Sequence, residues 1–140
     1  MKTILLFFVF LFQFPSFSQD TLNIEKEIFY NINNYRVKIG KSKFTYNNSL
    51  VNGCRSHSTF MGKNNNLVHV KDLMNVGASA EIIQLNYTLD RTNSEIGLDV
   101  LKTFINSPPH KKVIEGNYTK ISVGVYVTDD DDLWVTIRFI

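Results

Sequence analysis

Apolar residues recur at helical spacing through most of this 140-residue chain, strict alternation is confined to its C-terminal end, and no strand–helix unit repeats. These observations predict an α+β domain.

What precedes the domain is legible first. Met1-Lys2-Thr3 is followed by an apolar run from Ile4 to Phe12 that Gln13 and Pro15 bring to an end. The pattern is that of a secretory signal peptide, and the run is too short to cross a bilayer, which needs about 20 apolar residues. Ser16 and Ser18 supply the small residues before a cut after Ser18. Residues 1–18 are therefore read as the signal peptide and 19–140 as a single domain, secreted to the periplasm or the extracellular space with no transmembrane anchor after cleavage.

The first helix is expected from Ile24 to Lys38, where Ile24, Ile28, Ile32 and Tyr35 share a face and Glu25, Lys26 and Glu27 lie between them. Gly40 then fits the left-handed position past a helix end. Asn47 or Asn48 can cap a second helix by accepting an orphan amide bond, after which Leu50, Cys54, His57 and Met61 fall on one side. That spacing turns His57 inward, where a histidine bonded to backbone is the ordinary case. Cys54 is the only cysteine, so the domain has no internal disulfide and its thiol is expected to be buried and inert.

From Gly62 to Asp90 no clean period appears, and the cluster Asn64-Asn65-Asn66 is turn-forming. This stretch is read as loop with short irregular elements, and a loop that long points to a binding region containing His69 and Glu81. Thr92 and Glu95 have the spacing of a capping box, and Ile96, Val100, Leu101, Phe104 and Ile105 follow as a third helix ending at Ser107. Pro108 and Pro109 disfavour helical geometry before them, which would present His110 just beyond the helix end. Ile121, Val123, Val125 and Val127, then Leu133, Val135 and Ile137, predict two strands of a terminal hairpin around Asp129 to Asp132. Those four aspartates lack the spaced ligands and glycine of a calcium loop and read as a solvated turn.

The formal net charge is +2, with acids and bases interspersed along the sequence, so neither nucleic acid nor an anionic membrane is expected as a partner. Nothing in the sequence sets the oligomeric state.

Taken together the motifs resemble the CAP superfamily, the cysteine-rich secretory protein, antigen 5 and pathogenesis-related 1 proteins, whose domain is also called SCP. Asn33-Asn34-Tyr35-Arg36 with Gly40 is similar to the family's Asn-x-x-Arg followed by glycine, and Leu50, His57-Ser58 and Met61 are similar to a bacterial pattern. His69 and Glu81 stand where the family has a histidine and its Gly-Glu-Asn motif. Phe104-Ile105-Asn106-Ser107-Pro108-Pro109-His110 is similar to an aromatic, two residues and Ser-Pro-Gly-His, and Ile121–Val125 with Leu133-Trp134-Val135 is similar to the closing strands. Ala80-Glu81-Ile82 departs from the motif by lacking its glycine and asparagine, and Ser107 stands where some eukaryotic members have a second glutamate.

The resemblance implies a three-layer α-β-α sandwich of the CAP/SCP type with a cleft that can hold zinc or another divalent metal. His69, Glu81 and His110 carry over as its metal residues, and His57 and Ser107 as auxiliary cleft residues. The first functional reading is a ligand-binding module for a lipid, peptide or cell-envelope ligand. The alternative is a metal-dependent, peptidase-like hydrolase in which Glu81 takes the proton of a metal-bound water. Against the hydrolase, the chain has no His-Glu-x-x-His segment, and no Gly-x-Ser-x-Gly elbow surrounds Ser107.

Overall fold

The computed structural model describes residues 19–140, so the signal-peptide reading of residues 1–18 lies outside the described residues. The elements run α1 (Gln19–Lys38), β1 (Thr45–Tyr46), α2 (Asn48–Asn64), β2 (Ala80–Tyr87), α3 (Asn93–Asn106), α4 (Pro108–Ile114), β3 (Lys120–Val127) and β4 (Asp132–Phe139). The strands form one sheet in the order β1-β3-β4-β2, parallel between β1 and β3 and antiparallel elsewhere.

Local chemistry sets most boundaries. Asn47 caps α2 by accepting from the Ser49 amide at 2.9 Å, and Thr92 and Glu95 close both halves of the α3 capping box. Gly40 takes φ +76° past the end of α1, as its position required. Helix α1 itself starts five residues earlier than the apolar spacing marked, because the polar turn ahead of Ile24 continues it.

Two expectations are corrected. The prolines do not leave His110 outside a helix: they occupy the first two positions of α4, so His110 lies in that helix's first turn. Proline is well suited there, because the amide it lacks has no intrahelical partner at a helix start. The stretch read as loop up to Asp90 contains the regular eight-residue strand β2, in register with β4 from Ala80↔Phe139 to Tyr87↔Asp132. Periodicity missed it because both faces are covered. Ala80 and Ile82 join the larger core, Ile83 joins a smaller one on the opposite face, and Glu81, Gln84 and Asn86 are buried polar residues among them.

The sheet is sandwiched between two helical layers. On one side Ile24, Ile28 and Ile32 of α1 pack with Val100 and Phe104 of α3 and Ile114 of α4 against inward residues of the strands. On the other side lies α2, so close to β3 that a Cβ on Gly124 would stand 2.3 Å from the Arg55 backbone nitrogen. Met61, Ile83 and Trp134 form the apolar part of this second interface. Beside them the Ser58 hydroxyl bonds the Gly124 carbonyl at 2.9 Å and the Thr136 hydroxyl at 2.8 Å. Cys54 is buried here, its thiol pushed up to about 12 chiefly by burial.

Asn33 and Arg36, from the motif in α1, act as staples. The Asn33 side chain bonds both backbone polar groups of Phe44, while Arg36 donates to the carbonyls of Ser42, Ile114 and Gly116 and stacks 3.7 Å over the Phe44 ring. Strand β1 is only two residues long, so among the described residues the outer edge of β3 beyond it has no strand partner. Tyr46 donates its hydroxyl to the Val123 carbonyl at 3.3 Å, and Glu25 accepts the Val125 amide at 3.2 Å. Glu25 is buried and its carboxylate also takes a two-pronged bond from Arg55.

Candidate functional site

The site is built outward from one buried carboxylate. Glu81 is the second residue of β2, its side chain on the α2 side of the sheet and directly opposite Arg138 of β4. The Arg138 Nε donates to Glu81 Oε2 at 2.9 Å, with only 3% and 1% of the two side chains exposed. Arg138 in turn lies under Gly53 of α2, where a Cβ would be 2.9 Å from its Nη1.

The other carboxylate oxygen gathers the loop ahead of β2. Oε1 accepts the Val70 amide at 2.9 Å and lies 3.2 Å from His69 Nδ1. A carboxylate can only accept, so Nδ1 of His69 carries the hydrogen, and in the neutral ring Nε2 keeps its lone pair on a side chain that is 57% exposed. His57 enters from α2, its side chain 11% exposed, with Nε2 2.8 Å from the Val68 carbonyl and 3.8 Å from Glu81 Oε1. Because a carbonyl also only accepts, Nε2 of His57 carries its hydrogen and is committed to Val68.

His110 approaches from α4, its ring edge-on to Phe104 at 5.3 Å between centroids. Burial, and secondarily the charge of nearby His69, lower its pKa from the usual histidine value. Ser107 is half-buried at the junction of α3 and α4, and its side chain makes no cap bond. The fold thus brings His69 and Glu81 into hydrogen-bond contact and places His57 Nε2 3.8 Å from the same carboxylate oxygen, while His110 stands apart on α4 with no hydrogen bond to this group.

Alongside His57 and His69 runs an open groove of about 550 Å³ with Phe60, Val68, Val70 and Val76 in its walls. Phe60 is half exposed there and stacks 13° from parallel to the His57 ring.

The donor set decides what metal chemistry these residues suit. Among the described residues no three histidine, cysteine, aspartate or glutamate side chains are placed to share a metal ion. The bonds explain why: Glu81 Oε1 already accepts two N–H groups, Oε2 faces the Arg138 cation, and His57 Nε2 is a donor. His69, Glu81 and His110 therefore do not fit one directly bound divalent ion as they stand, and Glu81 instead orients the ring of His69 from behind.

Arg138 is the participant that sequence reading did not single out. On β4 it alternates with the apolar core positions Ile137 and Phe139, on the opposite face of the strand from them. The one available signal was that α2 covers that side, where a buried guanidinium requires a carboxylate partner.

The profile of the cysteine-rich secretory protein family (CAP) matches residues 29–139. Among solved structures, an outer surface protein from Borrelia burgdorferi superposes with a TM-score of 0.68 at 17% identity, over 85% of this chain and 93% of that one. An extracellular protein containing an SCP domain from Bacillus anthracis gives a TM-score of 0.65 at 20% identity, over 86% of this chain and 41% of that one, so this chain spans less than half its length. No curated protein matches the chain.

Proposed function

Because this chain belongs to the cysteine-rich secretory protein (CAP) family, we propose that it is an exported ligand-binding module whose binding surface is the His69 edge of the Glu81 cluster and the adjoining apolar groove. The observation that carries this reading is the pairing of a half-exposed imidazole, aimed by a buried carboxylate, with the apolar walls of Phe60, Val68, Val70 and Val76. Such a surface suits a ligand with an apolar body and one hydrogen-bonding head, of the lipid, apolar peptide or envelope-fragment class. His69 Nε2 accepts from a hydroxyl or amide of that head, and the groove desolvates the rest.

Export is supported by the apolar run from Ile4 to Phe12, and by the description of the structural neighbours as outer surface and extracellular proteins. A hydrolase reading gains less support. Glu81 already accepts three hydrogen bonds and faces Arg138, so it is poorly placed to take a proton from water.

Mass spectrometry of the chain from Gln19, purified without denaturation after incubation with envelope lipids and peptides, tests the proposal. A retained apolar ligand, lost from the His69→Ala and Phe60→Ser variants, is expected. Turnover of a substrate panel that Glu81→Gln abolishes would replace it with the enzyme reading.

A further inference from the structure

Charges that alternate along the sequence are separated in space. The Arg36 bonds to Ser42, Ile114 and Gly116 hold the loop after α1 against the end of α4. Thr45 of β1 pairs with Lys120, whose carbonyl accepts the Ile140 amide. One end of the molecule thus collects Lys38, Lys41, Lys43, Lys111, Lys112 and Lys120, with Glu115 the only carboxylate side chain in those segments. Glu115 is itself occupied, accepting the Tyr35 hydroxyl at 2.5 Å and lying 3.9 Å from Lys111. Lys41, Lys111 and Lys112 border a shared depression of about 500 Å³.

The far end is its opposite. Asp90 and the run Asp129–Asp132 lie at the other ends of the strands, joined by the Thr88 amide bond to the Asp131 carbonyl, and Asp20 borders the same hollow as Asp131, with Arg91 as the one cation lining it. Eight residues of strand separate the two ends, about 26 Å at roughly 3.3 Å per residue. That is well beyond the screening length of about 8 Å at physiological salt. A charged surface touching the basic end is therefore screened from the acidic one, and the small net charge does not describe the encounter.

The basic end also exposes aliphatic side chains: Val37 at 52%, Ile39 at 40% and Ile140 at 38%. A soluble polyanion would need only the lysines, whereas cations interleaved with exposed aliphatics match the boundary between lipid headgroups and acyl chains. We propose that this end docks the protein on an anionic lipid surface, with the acidic end directed away from it. The depression at the basic end shares no lining residue with the His69 groove, and the proposal stands whether or not that groove binds a ligand.

Cosedimentation of the chain from Gln19 with phosphatidylcholine vesicles, with and without phosphatidylglycerol, tests this at low and high salt. Binding should require phosphatidylglycerol and weaken with salt. It should fall about 100-fold in Lys41→Gln/Lys111→Gln/Lys112→Gln, on the basis of about 1 kcal/mol for each lysine near such a surface. The charge-matched control Lys26→Gln/Lys63→Gln/Lys102→Gln, folded and lacking exposed lysines elsewhere, should bind as the parent does. Equal binding to neutral vesicles, no binding to either, or an equal loss in the control would overturn the proposal. So would capture by inorganic polyphosphate without any vesicle binding, which would make a soluble polyanion the partner.

Discussion

Glu81 and Arg138 face each other across β2 and β4, almost wholly shielded from water, and the 2.9 Å bond between them anchors the carboxylate on which His69 and Val70 converge. The pair ties the stability of the sheet to the position of an exposed imidazole. Removing either partner strands the other as a buried charge, which is costlier than losing both.

Arg138→Met should therefore destabilise the protein by about 3–5 kcal/mol in denaturant unfolding, whereas Arg138→Met/Glu81→Leu should recover a large part of that loss. Nearly equal destabilisation by the single and the double variant would show that the pair does not act as a unit.

Gly124→Ala places a methyl group against the Cys54–Arg55 backbone, 2.3 Å from the nearest atom, so α2 must lift from the sheet. The expected loss is about 3 kcal/mol or more. An unchanged denaturation midpoint would mean that α2 rides higher than this contact implies.

The His110 pKa is lowered in the folded protein, so the unfolded chain takes up a proton first as the pH falls. The contribution of His110 to stability is full above the unfolded value of 6.5 and declines below it, until the folded pKa is passed. Denaturation midpoints measured from neutral to mildly acid pH should show this decline in the parent relative to His110→Gln. Parallel profiles for the two proteins would contradict it.

Zinc titration followed by calorimetry should give no saturable one-to-one isotherm, because the Glu81 oxygens and His57 Nε2 are already committed to other bonds. A one-to-one isotherm lost in His69→Ala/His110→Ala would show that Glu81 can leave Arg138 to bind metal.

How much of this was legible depended on where the information lies. Caps and periodic faces are local, so a cap at Asn47 or Asn48, the Thr92–Glu95 box, Gly40 and the β3–β4 hairpin could be read directly, the structure choosing Asn47. Strand β2 was hidden because burial on both faces erases alternation, and its Glu81, Gln84 and Asn86 look like loop residues until their surroundings are known. Pro108 and Pro109 admit two readings, the end of one helix or the start of the next, and only the packing of Ile114 into the core distinguishes them. His69 and Glu81 could be picked out singly, but the hydrogen-bond directions that fix their roles depend on Val68, Val70 and Arg138, which converge only in the folded chain.

The side chains that seal the open edge of β3 have a consequence for proteolysis. Glu25 and Tyr46 occupy an amide and a carbonyl two residues apart, the spacing at which a foreign strand would begin to pair. A protease that trims α1 past Glu25 would free the Val125 amide and remove the carboxylate that Arg55 holds in a two-pronged bond in the same cut. The first turns of α1 thus guard against self-adhesion, and the trimmed protein would be expected to aggregate through β3 before it lost its remaining fold.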